Sequence, residues 1–169
     1  MHDSARADGI QLTALSATRS FAQQASIWNR KWARPEYMGW NDIEKARDIL
    51  KYSSMPGSSR HHWGTDVDIH SLEPEDFWSG EGALILEWLR TNAWKFGYAE
   101  VYTSDSSRTG YQPEAWHWSY FPLARPYLQA INKATKSQTF PHFSGFDGAH
   151  TADTLNIVTD YINGVNAQL

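Results

Sequence analysis

SSRHHWGTDVDIHS, residues 58–71, sets three histidines and two aspartates around a single glycine. Its second half decides the local fold. From Thr65 to Ile69 the chain alternates, with Asp66 and Asp68 on one side and Thr65, Val67 and Ile69 on the other, the two-residue period of a half-buried strand. His61 precedes Asp68 by seven residues, so on one continuous strand the two would face opposite sides. Gly64 removes the conflict, because glycine turns where other residues cannot. The loop carrying His61 can then fold back over the strand that carries Asp68. One potential ligand is fixed by the sheet and the other by the turn. His62 points away if His61 points in, and His70 reads as a neighbour of the pair.

A third ligand is available in PEAWHWSYF, residues 113–121, about fifty residues downstream. Glu114 stands three residues before His117. On a helix that spacing shares a face. The tryptophan-rich alternation and Pro122 favour a strand instead, where parity opposes the two and a bend near Pro113 or Ala115 is required. With His117 as ligand and Glu114 as general base, His61, Asp68 and His117 form a three-ligand site with an open position. Zinc in such a site lowers the pKa of water to about 7, and a carboxylate can take that proton and pass it to a leaving amine. The chain has no cysteine, which excludes disulfides, thiolate ligands and a cysteine nucleophile. Any metal must be held by histidine and carboxylate.

The bulk numbers agree with a soluble globular chain. At 169 residues it is long enough for one domain with a sizeable core, spanning 1–169. The net charge of −4 and the lack of a basic stripe argue against a nucleic-acid partner. No run of about 18 apolar residues is present to span a membrane. The N-terminal MHDSARADG lacks the apolar region of a secretory signal. Nine tryptophans, eight tyrosines and seven phenylalanines suit either an aromatic core or a groove gripping an extended ligand. Trp63, Trp116 and Trp118 are the candidates to line such a groove.

Apolar residues at three- and four-residue steps predict a helix over 21–33, ended by Pro35. Asn41 or Asp42 caps a second helix running to Tyr52, with Ile43, Ala46, Ile49 and Leu50 inward. Leu84, Ile85, Trp88, Leu89 and Ala93 mark a third helix over 80–95, closed by Gly97. Residues 98–102 and 116–121 read as strands. Thr151 to Val165 predicts a last amphipathic helix with Leu155, Val158, Tyr161 and Ile162 inward. His142 and His150 fall in a loop-rich surface region, and His2 in a disordered terminus. The fold class is α+β, a small antiparallel sheet carrying the site with helices packed around it.

The polar motifs are specific in combination. Ser59, His61, Gly64 and Asp68 form S-x-H-x-x-G-x-x-x-D; Glu114, Trp116, His117 and Trp118 form E-x-W-H-W. Together they resemble the paired motifs of VanY-type D-alanyl-D-alanine carboxypeptidases, zinc peptidases whose fold is shared with lysostaphin-type enzymes and the hedgehog domain. SATRSFAQQ, residues 16–24, resembles the family's S-x-x-R-S-x-x-x-Q element. The matching core runs from about 15 to 122, leaving a C-terminal helical extension from about 133 to 169.

The resemblance implies zinc held by His61, Asp68 and His117, with Glu114 as general base. It implies Arg19 as the holder of the substrate's terminal carboxylate, a task suited to a guanidinium that donates two parallel hydrogen bonds. Gln24 and Ser59 would add polar contacts and Trp116 a wall of the groove. The implied reaction is removal of the terminal D-Ala from peptidoglycan stem peptides. L,D-carboxypeptidase and endopeptidase activities share the same motifs, and a zinc-containing cell-wall-binding module without turnover is a further alternative. Glu114 favours an enzyme, and Arg19 favours a carboxypeptidase. A monomer is expected, located in the periplasm or on the exterior of the cell envelope with its leader removed ahead of Met1. One departure stands out: Asp66 occupies a position, two before the aspartate ligand, where the family often has a small residue. There it could add negative charge near the metal, or support His62 or Arg60.

Overall fold

The computed structural model describes residues 1–135 and 140–169. Four strands, β1 (Ala14–Ser16), β2 (Asp66–Ile69), β3 (Tyr98–Tyr102) and β4 (Glu114–Tyr120), form one antiparallel sheet in the order β1-β2-β4-β3. Helices surround it, so the molecule is α+β as expected.

The central pair decides where the site lies. Asp66 is opposite Ser119, Val67 opposite Trp118 and Asp68 opposite His117. Directly paired residues share a face. One face of the pair therefore carries Asp66, Asp68, His117 and Ser119, and the other carries Val67 and Trp118.

The helices begin where side chains satisfy their free N–H groups. In α2 (Phe21–Trp32), Ser20 and Gln23 form a reciprocal capping box. In α3 (Asp42–Ile49), Asn41 and Glu44 do the same, and this helix stops short of Tyr52. Helix α4 (Gly80–Asn92) tightens into a 3-10 turn over Ala93–Phe96 and closes on Gly97 at φ 81°. Ile85, Trp88, Leu89 and Ala93 are buried as predicted, but Leu84 is 57% exposed, lying beyond the edge of the apolar arc.

Elsewhere the structure departs from the sequence expectations. His2 is not in a disordered terminus: it opens α1 (His2–Ala7), whose Ala5 is buried. Strand β4 begins at Glu114 and ends at Tyr120, and Phe121 starts α5 (Phe121–Ala134). Pro122 marks that helix start, because a proline in the first turn lacks only an N–H that has no partner there anyway. The C-terminal region is not one α-helix. A 3-10 segment (Ala149–Thr154) and a π-helical segment (Ile157–Ile162) are separated by Asn156 in the left-handed conformation, φ 50°. Leu155, Val158 and Ile162 are nonetheless buried, so the apolar pattern names the inward residues without fixing the backbone.

Two cores flank the sheet. Trp28, Leu50, Met55, Val101, Ile157 and Val158 belong to the larger one. Ala5, Leu12, Ile69, Ile85, Leu89 and Trp118 form the smaller. Trp118 thereby lies on the opposite face from the polar cleft, and Trp63 packs against Arg60 and Tyr127. Trp116 alone of the three lines the cleft beside the polar face.

Candidate active site

His61 sits in a 3-10 turn (Arg60–Trp63) closed by Gly64 at φ 73°, the fold-back that its spacing from Asp68 requires. Its Nδ1 lies 2.7 Å from the Ala17 carbonyl oxygen. A carbonyl only accepts, so Nδ1 carries the proton and the Nε2 lone pair faces inward, 3.2 Å from Asp68 Oδ2. His117 is arranged in reverse. Its Nε2 donates to Asp66 Oδ1 at 2.9 Å, which leaves the Nδ1 lone pair 3.2 Å from Asp68 Oδ1 and 3.4 Å from Glu114 Oε2.

These residues fit a zinc ion. The ligand atoms of His61, Asp68 and His117 lie within 4.8 Å of one another. Ligands about 2.0–2.2 Å from a tetrahedral ion lie roughly 3.3–3.6 Å apart, close to both 3.2 Å separations from Asp68. Asp68 Oδ1 is buried and accepts no hydrogen bond among the described residues. Two imidazole lone pairs beside a carboxylate repel unless a cation stands between them. Each histidine also donates its rear N–H to an oxygen, the outer-shell arrangement that fixes tautomer and ring orientation in metal sites.

Glu114 and His117 reach the same side through the bend that strand parity demands. Between Trp118 and Glu114 the pairing with β3 slips, so that four steps along β4 face only two steps from Glu100 to Tyr102. The Trp118 indole N–H donates to the Ala115 carbonyl at 3.0 Å and closes the bend. Burial pushes the Glu114 carboxyl above the ordinary range, with His117 offsetting part of the rise.

Arg19 borders the same cleft, half-buried. Its NH1 donates to Gln24 Oε1 at 2.7 Å and its NH2 to Ser16 Oγ at 2.6 Å, while NH2 stands 3.9 Å from Asp68 Oδ2. Gln24 is fully buried behind it, donating from Nε2 to the Ser54 carbonyl at 2.6 Å. The structure thus places Gln24 against Arg19 and outside the cleft lining. Ser59 is also outside that lining, with a buried Oγ that has no hydrogen-bond partner among the described residues. Trp116 forms a wall of the cleft between Tyr52 and Phe77. Of the remaining histidines, His142 and His150 are exposed, and His62 turns away to Gly57 N–H and the Arg19 carbonyl.

Asp66 holds a buried ion pair with Arg60, whose Nε donates to Asp66 Oδ1 at 2.9 Å. Arg60 NH2 donates to Ser119 Oγ, and Ser119 Oγ donates to Asp66 Oδ2, each at 2.9 Å. The guanidinium lies 4.4 Å over the Trp63 ring. Of the two supports open to it, Asp66 takes Arg60 and not His62. Burial would raise its pKa, but His117 and Arg60 keep it well below the carboxylate range. Ser119 was not singled out from the sequence, and its bond to Arg60 spans 59 positions.

A family model described as "VanY: D-alanyl-D-alanine carboxypeptidase" matches residues 1–123. The chain belongs to that family. A D-alanyl-D-alanine carboxypeptidase of Enterococcus faecalis is 30% identical over 121 residues, covering 71% of this chain and 44% of that protein. The chain therefore spans less than half the length of this VanY relative. Among solved structures, a mutant of the vancomycin resistance D,D-pentapeptidase VanY from a VanB-type cassette, in complex with Zn(II), matches with a TM-score of 0.59 at 30% identity, over 71% of this chain and 66% of that one. VanYB in complex with D-Alanine-D-Alanine matches with a TM-score of 0.59 at 26% identity, over 80% and 76%.

Proposed function

We propose that this VanY-family chain is a zinc-dependent carboxypeptidase that removes the terminal D-Ala from peptidoglycan stem peptides ending in D-Ala-D-Ala. The observation that carries the reading is the convergence in one cleft of His61, Asp68 and His117 with Glu114, 3.4 Å from His117, and with Arg19. The zinc and D-Ala-D-Ala complexes of the two VanY structures support both the ion and the substrate class.

His61 Nε2, Asp68 and His117 Nδ1 would hold the zinc, which supplies Lewis acidity and makes water acidic enough to act as a nucleophile near neutral pH. Glu114 accepts the proton from the attacking water and returns it to the departing amine of the terminal residue. The C–N bond breaks as the water oxygen joins the carbonyl carbon, so the products are a shortened peptide and free D-alanine. A carboxyl raised by burial suits both halves of that transfer.

Arg19 takes the terminal carboxylate. A clamp beside the metal ligands serves removal of a terminal residue and has no use in internal cleavage. Gln24 and Ser16 hold its guanidinium in place, and Trp116 supports the cleft wall. The substrate class places the action outside the cytoplasmic membrane.

The test compares a muramyl pentapeptide ending in D-Ala-D-Ala with the matching tetrapeptide, followed by mass spectrometry. Zinc-loaded protein is expected to remove one alanine from the pentapeptide only. Glu114→Ala should lower that rate by about 10²–10⁴-fold while retaining zinc. Loss from the tetrapeptide would reassign the activity to an L,D-carboxypeptidase, and internal fragments to an endopeptidase.

A further inference from the structure

The cleft has a second polar wall that the chemistry at the metal centre leaves unused. Arg30, Lys31 and Arg34 line the same ≈ 410 Å³ space as Arg19. Four of the 15 lysines and arginines thus meet in one cleft of a chain with net charge −4. Arg30 and Arg34 are exposed at its rim, whereas Lys31 is partly buried.

Lys31 is the unusual member. Its Nζ donates to Ser53 Oγ at 2.6 Å, a neutral partner, and forms no ion pair with a carboxylate among the described residues. Glu73 borders the same cleft and acts on Lys31 only at a distance. Burial lowers the Lys31 pKa and nearby Arg34 adds to the effect, with Glu114 opposing. Holding a partly desolvated ammonium without a counter-ion costs stability. Glu36 pairs at the surface with Arg34, 3.8 Å away, and forms no ion pair with Lys31.

We propose that Lys31, backed by Arg34, forms a subsite for a second carboxylate of the substrate peptide, upstream of the terminal one. The proposal rests on the carboxypeptidase reading and deepens it. Helical rise puts Phe21 and Lys31 about 15 Å apart along α2, and an extended peptide covers about 3.3 Å per residue. Arg19 precedes the start of α2, Lys31 lies near its end, and both line the cleft. The second carboxylate therefore belongs within about four residues of the terminal one. Two sources supply this chemistry in a stem peptide: the free α-carboxylate of a γ-linked glutamate, and the side-chain carboxylate of an acidic diamino acid.

Three pentapeptides ending in D-Ala-D-Ala separate the outcomes. One carries the free glutamate carboxylate with lysine at the third position. A second carries the glutamate amide with a diaminopimelate third residue, and a third carries the amide with lysine and so lacks both acids. Calorimetric affinities are measured for zinc-loaded wild type and for Lys31→Met with the scissile amide of each peptide replaced by a non-hydrolysable linkage, and kcat/KM is measured on the natural peptides. Wild type is expected to bind at least one acidic peptide about 10-fold more tightly than the neutral one, within the range of a charge-assisted contact. Whichever acid gains identifies the source. Lys31→Met should abolish the preference while binding the neutral peptide within about twofold of wild type.

Equal wild-type affinity for all three peptides would overturn the subsite, as would no measurable binding of any. An equal weakening of all three by Lys31→Met, the mark of a purely structural lysine, would overturn it too. The wild-type series needs no variant to fold. Binding is read without turnover, so an acid preference without cleavage would support the subsite and sink the carboxypeptidase assignment.

Discussion

The β2–β4 pair is buried on both faces, and the two faces are held by opposite means. On one, Val67, Ile69 and Trp118 pack with Ile85 and Leu89 of α4. On the other, Asp66, Asp68, His117 and Ser119 are all 4% exposed or less. An alternating strand in an antiparallel sheet ordinarily turns its charged side to water. Here that side is buried, so each charge needs a specific partner. Asp66 has one within the chain, Arg60. Asp68 faces two imidazoles and, at 3.9 Å, Arg19, the environment of a ligand awaiting a cation. Two aspartates on one face of one strand thus differ in what balances them, and only one is left for a metal.

The largest expected effect tests whether the faces differ in kind. Trp118→Ala should cost about 3–5 kcal/mol by lost burial and the cavity it leaves. Arg60→Met should cost a similar amount, about 3–5 kcal/mol, because it strands Asp66 as an unpaired buried charge. Chemical denaturation measures both. The contrast appears on adding Asp66→Ala: it should recover at least half of the Arg60→Met loss and none of the Trp118→Ala loss. If Asp66→Ala deepens the Arg60→Met defect, the polar face is stabilised by packing like its apolar counterpart and the distinction fails.

The same contrast explains what could be read in advance. Val67, Ile69 and the α4 stripe declare themselves by periodicity, since apolar burial depends on which side of an element a residue occupies. The capping residues Ser20 and Asn41 act within three positions, so local sequence contains both halves of each cap. His61, Asp68, Glu114 and His117 were legible because their residue types and spacings are restrictive together. The bend that unites Glu114 with His117 followed from strand parity. Arg60 was legible only as one of two possible partners of Asp66, six positions away; its bond to Ser119, 59 positions away, was not. Lys31 was hidden similarly, as an ordinary charge on a helix whose apolar positions set the prediction. The α5 start was missed because Pro122 can end a strand as readily as open a helix, and only the following residues decide. Asn156 stopped the C-terminal helix by adopting a backbone conformation that side-chain periodicity does not encode.

A smaller effect sharpens the division between the aspartates. Asp66 does not belong to the ligand triangle, but it accepts a hydrogen bond from His117 Nε2–H and thereby aims Nδ1 at the metal position. Asp66→Asn preserves shape and an accepting oxygen while removing the charge that makes the imidazole a better donor. Zinc affinity should fall about 10–100-fold, the usual consequence of losing a partner behind a ligating histidine. Cobalt-substituted protein provides the control, since its absorption bands report the ligand set. Those bands should keep their positions in the Asn variant, whereas Asp68→Asn should change them. Unchanged zinc affinity in Asp66→Asn would mean that Arg60 and Ser119 restrain Asp66 for packing alone. Altered cobalt bands would mean that Asp66 lies closer to the ion than His117 allows. The expected combination, weaker binding with the same ligands, assigns the two carboxylates of β2 to separate tasks: one holds the ion, and the other orients a residue that holds it.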